Sequence, residues 1–257
     1  MPSLAESYYT TALDLLARSR EINEATLKTC GRLIADSIAA GGVLHTFGSG
    51  HSEIIGREII GRAGGLMPVS GIFDPGMGFS ENVVGYGTRL AERYDNTHGL
   101  HAGEVIIVIS NSGKNASPIE VALYAKKKGL TVIALTSLAM STTAKTVHPG
   151  GQNLHAVADY TLDNCGVSGD AIVRIDPPDA GEDPGAAKAA GPAPFAGPTS
   201  TFIGATLLNL LALEAIDWLN GNGHALPLIK SQNLPGGMEH NIALSKKYRT
   251  RLSKLIG

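Results

Sequence analysis

Apolar and polar positions along the chain alternate between two rhythms. From residue 3 to 40, Leu4, Tyr8, Leu13, Leu15, Leu16, Ile22, Leu27, Leu33, Ile34 and Ile38 recur at helical spacing with no proline between them. One or two helices are predicted there, stopped by Gly41-Gly42. Strand-length segments follow: Val43–Phe47, Met67–Ile72, Val105–Ile109, Thr131–Ser137 and Ala156–Leu162, of which Val105–Ile109 is an unbroken β-branched run, the signature of a strand buried on both faces. Between them lie helical stretches over 53–62, 81–94 and 119–128, with Lys126, Lys127 and Lys128 at the negative end of the last and Gly129 as its stop. Strand and helix alternate throughout, so the fold class is α/β with right-handed crossovers and a parallel sheet.

Two stretches depart from this rhythm. Asp176–Pro198 holds six prolines among Gly and Ala and is predicted as a mobile surface excursion, not a linker. Phe202–Leu219 is apolar nearly all round, which predicts a helix buried in the fold or at a subunit interface, with Thr199, Ser200 and Thr201 before it as caps. A polar loop, 231–241, leads to a basic helix predicted over 242–256.

The ends of the strands carry the candidate chemistry. Val105–Ile109 runs into Ser110-Asn111-Ser112-Gly113-Lys114-Asn115, and Ser117-Pro118 is predicted to open the next helix. Strand, hydroxyl-rich turn and helix N-terminus form an anion site, with backbone N–H groups and the helix dipole facing a phosphate. The first strand likewise ends in Gly48-Ser49-Gly50-His51-Ser52, with Ser52 placed to cap a helix, and the fourth in Thr136-Ser137. The GxG after a strand also invites a dinucleotide reading with Asp74 at the ribose, but Glu53 stands where the third glycine belongs. In open parallel sheets ligands sit beyond the carboxyl ends of strands, so these loops converge on one site. Their donors outnumber their charges, which suits a phosphorylated polyol.

Composition narrows the partners. The chain has 257 residues, 43% hydrophobic and 17% charged, a globular balance in which the length allows one large or two small domains with a substantial core. A net charge of -2 without a basic stripe argues against nucleic acid. Cys30 and Cys165 are its only cysteines, with neither disulfide framework nor metal spacing, so no metal is expected and a reducing cytoplasm is. No basic-then-apolar leader opens the sequence and no run reaches about 18 uninterrupted apolar residues, so no membrane partner is expected.

Together these motifs resemble a known family. Ser110–Asn115 resembles the SxSGxT phosphate loop of SIS (sugar isomerase) domains, with Asn115 in place of the usual Thr. Phe47–Ser52 resembles their first glycine-serine loop, and Leu135-Thr136-Ser137 their third hydroxyl strand end. With GRAGGL at 61–66, GPTST at 197–201 and NLPGGMEHN at 233–241, the chain resembles a small branch of single-SIS-domain proteins related to phosphoheptose isomerases. The resemblance implies a three-layer α-β-α sandwich, flavodoxin-like or Rossmann-like, with a five-stranded parallel sheet and an N-terminal helical arm. It divides the chain into helices at 1–40, core at 41–175 and 198–222, the loop 176–197, and a C-terminal loop and helix at 223–257.

The same resemblance implies a site shared between subunits of a homodimer or tetramer, with no cofactor. Phosphate would be held by Ser110, Ser112 and Asn115, with Ser52 and Thr136 or Ser137 near the sugar. Isomerising members use a Glu base, and Glu58-Ile59-Ile60-Gly61-Arg62 is similar to their Glu-x-x-Gly-Arg segment, about one turn closer to the loop. They also carry a His on the last long helix. Phe202–Leu219 has none, so His240 or His51 would substitute. Two function classes stand open. An aldose–ketose isomerase needs a base and an acid, drawn from Glu58, Glu239, His240 and His51. A non-catalytic sugar-phosphate sensor needs neither, and a lyase or etherase of the same fold would differ in chemistry alone.

Overall fold

The structure, a computed structural model, describes residues 2–176 and 193–253. Five parallel strands form the central sheet in the order β2-β1-β3-β4-β5: β1 Leu44–Gly48, β2 Val69–Ile72, β3 Val105–Ile109, β4 Thr131–Thr136 and β5 Tyr160–Asp163. β3 lies at the centre, paired with β1 through Phe47↔Val108 and with β4 through Val108↔Ala134. Its five residues are all buried, which explains why it reads as an unbroken β-branched run and not as an alternation.

The pleat divides those apolar runs between two layers. Ile107 and Ile109 of β3, with Leu44, Ile133 and Leu135, pack under α1 (Leu4–Ala39), α2 (His51–Glu58) and α7 (Ser200–Gly221). Ile106 and Val108, with Phe47, Val132 and Ala134, face α3 (Tyr86–His98), α4 (Ala116–Lys127) and the short α6 (Leu154–Val157). The short α5 spans Leu138–Ser141. The result is the expected three-layer α-β-α sandwich with a helical arm. α1 is one helix of 36 residues, about 54 Å long at 1.5 Å per residue, with Ser3 Oγ accepting the Glu6 N–H as its cap.

α1 crosses α7 closely because Gly31 is small there: a Cβ at Gly31 would lie 2.5 Å from Glu214 Cβ. α7 is long and apolar enough to span a bilayer by length and composition alone. However, Ile203, Gly204, Leu207, Leu208, Leu211, Ala215 and Leu219 are buried within the sandwich, the role of a core helix.

Several predicted boundaries shift. α4 begins at Ala116, so Asn115 takes the N-cap position and Ser117-Pro118 lie inside the first turn. The Ser117 amide is drawn to the carbonyl of Glu81 at 2.8 Å, while its hydroxyl is buried with no partner among the described residues. α2 begins at His51 behind Gly50, whose φ of 56° only glycine adopts freely, so Ser52 is inside the helix and not its cap. α2 also ends at Glu58. Residues 81–85, predicted as helix, are turns before α3. The caps predicted before α7 are replaced by Asp170. Its carboxylate accepts the Thr199 and Ser200 amides at 3.3 and 3.0 Å and the Ser200 hydroxyl at 2.6 Å.

Residues 177–192, most of the predicted excursion, lie outside the described residues. Its end is regular: β7 (Phe195–Pro198) pairs antiparallel with β6 (Ala171–Arg174). The basic helix predicted over 242–256 is instead α8 (Gly237–Ser245) followed by a 3-10 turn at Lys246–Tyr248.

Candidate functional site

Beyond the carboxyl ends of β1 and β3 opens a cavity of about 660 Å³. The first loop contributes Ser49, Gly50, His51 and Ser52, and the β3–α4 loop contributes Ser110, Asn111, Ser112 and Asn115. The N-termini of α2 and α4 both open there, so their positive dipole ends face the same space. Among the described residues no Arg or Lys lines this cavity. An anion would be held by amides, hydroxyls and helix ends.

The β3–α4 loop keeps its shape because its neighbours are welded to it. Thr136 Oγ donates to the Asn111 carbonyl at 3.1 Å, as does the Ser137 amide at 3.0 Å. Asn164 donates to the Asn111 side-chain carbonyl at 2.9 Å, and Ser137 Oγ donates to the Gly166 carbonyl at 2.5 Å. Gly113 turns the loop at φ 64°, packed against Ser141 Oγ. The first loop is equally tight: a Cβ at Gly48 would meet the Ser52 backbone at 2.5 Å.

A third wall comes from the segment after β2. Met77, Gly78, Phe79 and Glu81 line the cavity, with Phe79 94% exposed. Asp74 anchors this wall: Oδ2 accepts from Ser49 Oγ at 3.0 Å and the Gly78 amide at 2.9 Å, and Oδ1 accepts from Tyr86 at 2.7 Å and the Gly76 amide at 2.8 Å. Burial would raise the Asp74 carboxyl, but these four donors outweigh it and hold its pKa below the ordinary value. Asp74 is a charged brace and is not among the residues lining this cavity. Ile109, Pro118, Met140, Gly169, Asp170, Pro198, Ser200 and Thr201 complete the lining.

The structure therefore gathers Ser49, Gly50, His51, Ser52, Ser110, Asn111, Ser112 and Asn115. Gly48 and Gly113 shape the loops from behind. Thr136 and Ser137, expected near the sugar, are fully buried and brace the loop instead of lining the cavity.

The proton-transfer candidates separate. Glu58 is the last residue of α2, ion-paired with Arg62, and lines a different cavity of about 160 Å³ beside Asn209 and Leu213. With Ser52 as cap the helix over 53–62 would place Glu58 in its second turn, whereas α2 starts at His51 and ends at Glu58. Glu239 and His240 sit on α8, where His240 Nε2 lies 3.0 Å from the Leu228 carbonyl. Leu228 bridges Leu66, which precedes β2, so this group lies toward the amino-terminal end of that strand, away from the carboxyl ends where the cavity opens. His51 alone of the four lines the cavity.

Sequence reading missed Glu81, Asp170, Met77, Phe79, Met140, Ser200 and Thr201. A signal existed for the β2 wall: Asp74-Pro-Gly-Met-Gly-Phe also follows a strand end, though without the hydroxyl-rich turn that marks the other three. Among the described residues no group of three His, Cys, Asp or Glu side chains gathers as a metal site.

The chain folds as a parallel α/β sandwich with hydroxyl-rich loops at its strand ends, and residues 7–137 match the family described as SIS domain. The chain is 34% identical over 255 residues to a UPF0309 protein of Halalkalibacterium halodurans, covering 97% of this chain and 96% of that one. It is 35% identical over 252 residues to one of Listeria monocytogenes, covering 95% and 99%. The chain belongs to the SIS-domain family and, within it, to the UPF0309 proteins. Solved structures share the fold at low identity. A phosphoheptose isomerase from Francisella tularensis matches with TM-score 0.52 and 14% identity, covering 83% of this chain and 100% of that one. The Vibrio vulnificus NanR protein complexed with ManNAc-6P matches with TM-score 0.52 and 15% identity, covering 87% and 66%.

Proposed function

We propose that this protein binds a phosphorylated sugar in the 660 Å³ cavity and interconverts its aldose and ketose forms through an enediolate. The observation that carries the reading is the meeting of the α2 and α4 N-termini with Ser110, Ser112 and Asn115 in one space free of Arg and Lys among the described residues. A phosphate dianion is satisfied there by amides and hydroxyls, while the first loop and the β2 wall enclose the carbon chain.

Isomerisation needs a base for the proton beside the carbonyl and an acid for the neighbouring oxygen. Within one chain Glu81 and His51 are the carboxylate and imidazole that line the cavity without a structural partner among the described residues. We assign them that pair of roles. Glu58, Glu239 and His240 would act only at a neighbouring subunit's site, in the shared arrangement of a homo-oligomer. The named isomerase and the named sugar-phosphate complex among proteins of this fold support the substrate class.

The experiment is a thermal-shift panel of five- to seven-carbon sugar phosphates, followed by solvent-deuterium exchange into the ligand that stabilises most. Exchange that is lost in Glu81→Gln and kept in Glu58→Gln is the expected result. Binding without any exchange would instead give the sensor reading, which is favoured by the absence of a histidine from α7. No stabilisation by any sugar phosphate would remove both.

A further inference from the structure

A second concavity lies outside this site, between α3 and the outer edge of β2, with a volume of about 330 Å³. β2 is an edge strand, so one side of its backbone is unpaired by the sheet. The Gly71 amide, facing that side, is taken by Ser253 Oγ at 2.9 Å. Two residues on, the Phe73 amide faces the same way by the alternation of the strand, and no described residue accepts from it.

α3 presents Leu90, Arg93, Tyr94 and His98 to this trough at spacings of three and four, which is one helical face. Leu90 and Tyr94 are buried and form an apolar floor, while Arg93 is exposed and has no carboxylate partner among the described residues. His98 Nδ1 lies 3.4 Å from the Thr250 carbonyl, leaving its other ring nitrogen uncommitted among the described residues. Arg57 closes the wall, stacked over the Phe73 ring at 4.1 Å. Asp74 also borders the trough, but its oxygens are spent on Ser49, Tyr86 and the Gly76 and Gly78 amides.

Two guanidinium groups, an imidazole and a free amide above an apolar floor suit an anion with an apolar body. We infer that this trough is a second binding site, taking an organic phosphate monoester and communicating with the first. The connection is a chain of direct contacts. Arg57 binds Glu53 Oε1 through Nε at 2.7 Å and Nη2 at 2.6 Å. Glu53 Oε2 accepts the Asp74 amide at 2.8 Å, and Asp74 holds Ser49 and Gly78 of the main cavity. An anion that draws Arg57 off Glu53 loosens that brace, and linkage makes the effect reciprocal.

The test is calorimetric titration of the full chain with phenyl phosphate. Wild type should bind two equivalents, Arg93→Ala/His98→Ala one, and Ser110→Ala/Ser112→Ala one. Affinity at the trough should fall about tenfold or more in the first variant. If Arg93→Ala/His98→Ala keeps wild-type stoichiometry and affinity, the second site does not exist. Should that variant not fold, Arg93→Gln/His98→Gln carries the same comparison. In Ser110→Ala/Ser112→Ala, phenyl phosphate should still change amide exchange at Gly76 and Gly78, and unchanged exchange would overturn the communication. Loss of binding in the serine variant alone bears on the first site, so the two readings fail separately.

Discussion

Gly113 stands where the β3–α4 loop is most constrained. Its φ of 64° is strained for any side chain, and an added Cβ would collide with Ser141, which is itself held against His155 Nδ1 at 2.7 Å. Gly113→Ala should therefore cost about 1–3 kcal/mol of stability or displace the loop, and sugar-phosphate affinity should fall with it. Chemical denaturation and ligand titration on the same variant measure both. Ser110→Ala with Ser112→Ala should leave the fold intact and weaken sugar-phosphate binding by roughly 1–3 kcal/mol per hydrogen bond lost to a charged group. These hydroxyls were legible in the sequence because a strand end fixes where the following few residues go. Glu81 was not. It reaches the cavity only because the segment from Asp74 folds back over the first loop, pinned by Ser49, Gly76, Gly78 and Tyr86. That tertiary arrangement leaves no periodic trace. Glu58 lines a different cavity for a local reason: Gly50, not Ser52, takes the N-cap position, so the helix begins two residues earlier and ends at Glu58.

At the scale of elements, α7 shows how a missing cap is supplied from a distance. Thr199 and Ser200 were the sequence candidates, yet neither side chain caps the helix, and Thr199 Oγ is buried without a partner among the described residues. Asp170, held at φ 63° just before β6, reaches across to the Thr199 and Ser200 amides. A carboxylate at a helix N-terminus is favourable, but this one also lines the cavity proposed for a phosphate. Its two effects oppose one another. Asp170→Ala should lower stability by about 1–2 kcal/mol through the lost cap. Asp170→Asn keeps a capping side chain that tolerates positive φ, so stability should hold while phosphate binds more tightly by roughly 0.3–1 kcal/mol. Unchanged or weaker phosphate affinity in Asp170→Asn would place the anion away from α7. The strands of the central sheet and the longer helices were readable from the two apolar rhythms, since each strand feeds both layers, whereas β6 and β7 were not, and the strand expected over 156–162 begins only at Tyr160, after α6. The exact starts of α2 and α4 were not, because backbone contacts such as Ser117 N–H to Glu81 compete with capping preference.

For the whole molecule, one buried polar cluster ties the C-terminal segment beneath the sheet. His45 on β1 contacts Tyr94 through Nδ1 and Glu104 through Nε2, both at 2.9 Å, and Arg251 binds both Glu104 oxygens at 2.8 Å. Burial would raise Glu104, but His45, the His101 amide and Arg251 together hold it down at about 2 from an ordinary 4.5. Burial pushes His45 below its ordinary 6.5, so a neutral imidazole donates to an ionised carboxylate. Both groups have lower pKa values folded than unfolded, so their stabilisation is complete above the unfolded values and is lost as the pH falls. Stability should decline below pH 6.5 through His45 and again from 4.5 toward 2 through Glu104, the latter by about 3 kcal/mol. Urea melts across that range should show the second decline flattened in Glu104→Gln. The sequence announced none of this, because His45 and Glu104 each sit in a stretch that reads only as strand or turn.

The arm was legible, and it raises the question of what covers it. Leu4, Tyr9, Leu13 and Ile22 on α1 are 55%, 66%, 42% and 50% exposed. At 100° per residue Leu4 and Ile22 share one side of the helix, with Leu13 on the opposite side. A helix lying on its own sheet has no need of apolar groups on two opposite faces, whereas an arm reaching between subunits does. Phe202 and Leu213 on α7, 42% and 58% exposed, extend the apolar surface near the cavity mouth and beside Glu58. At about 25 cal/mol per Å² of apolar area, covering such groups is worth several kcal/mol per chain. The expected state is at least a homodimer at micromolar concentration, which light scattering measures directly. Leu13→Asp with Tyr9→Asp should shift it toward monomer while leaving the sheet and its cavity in place, and a wild-type monomer would leave the arm's apolar faces without this explanation.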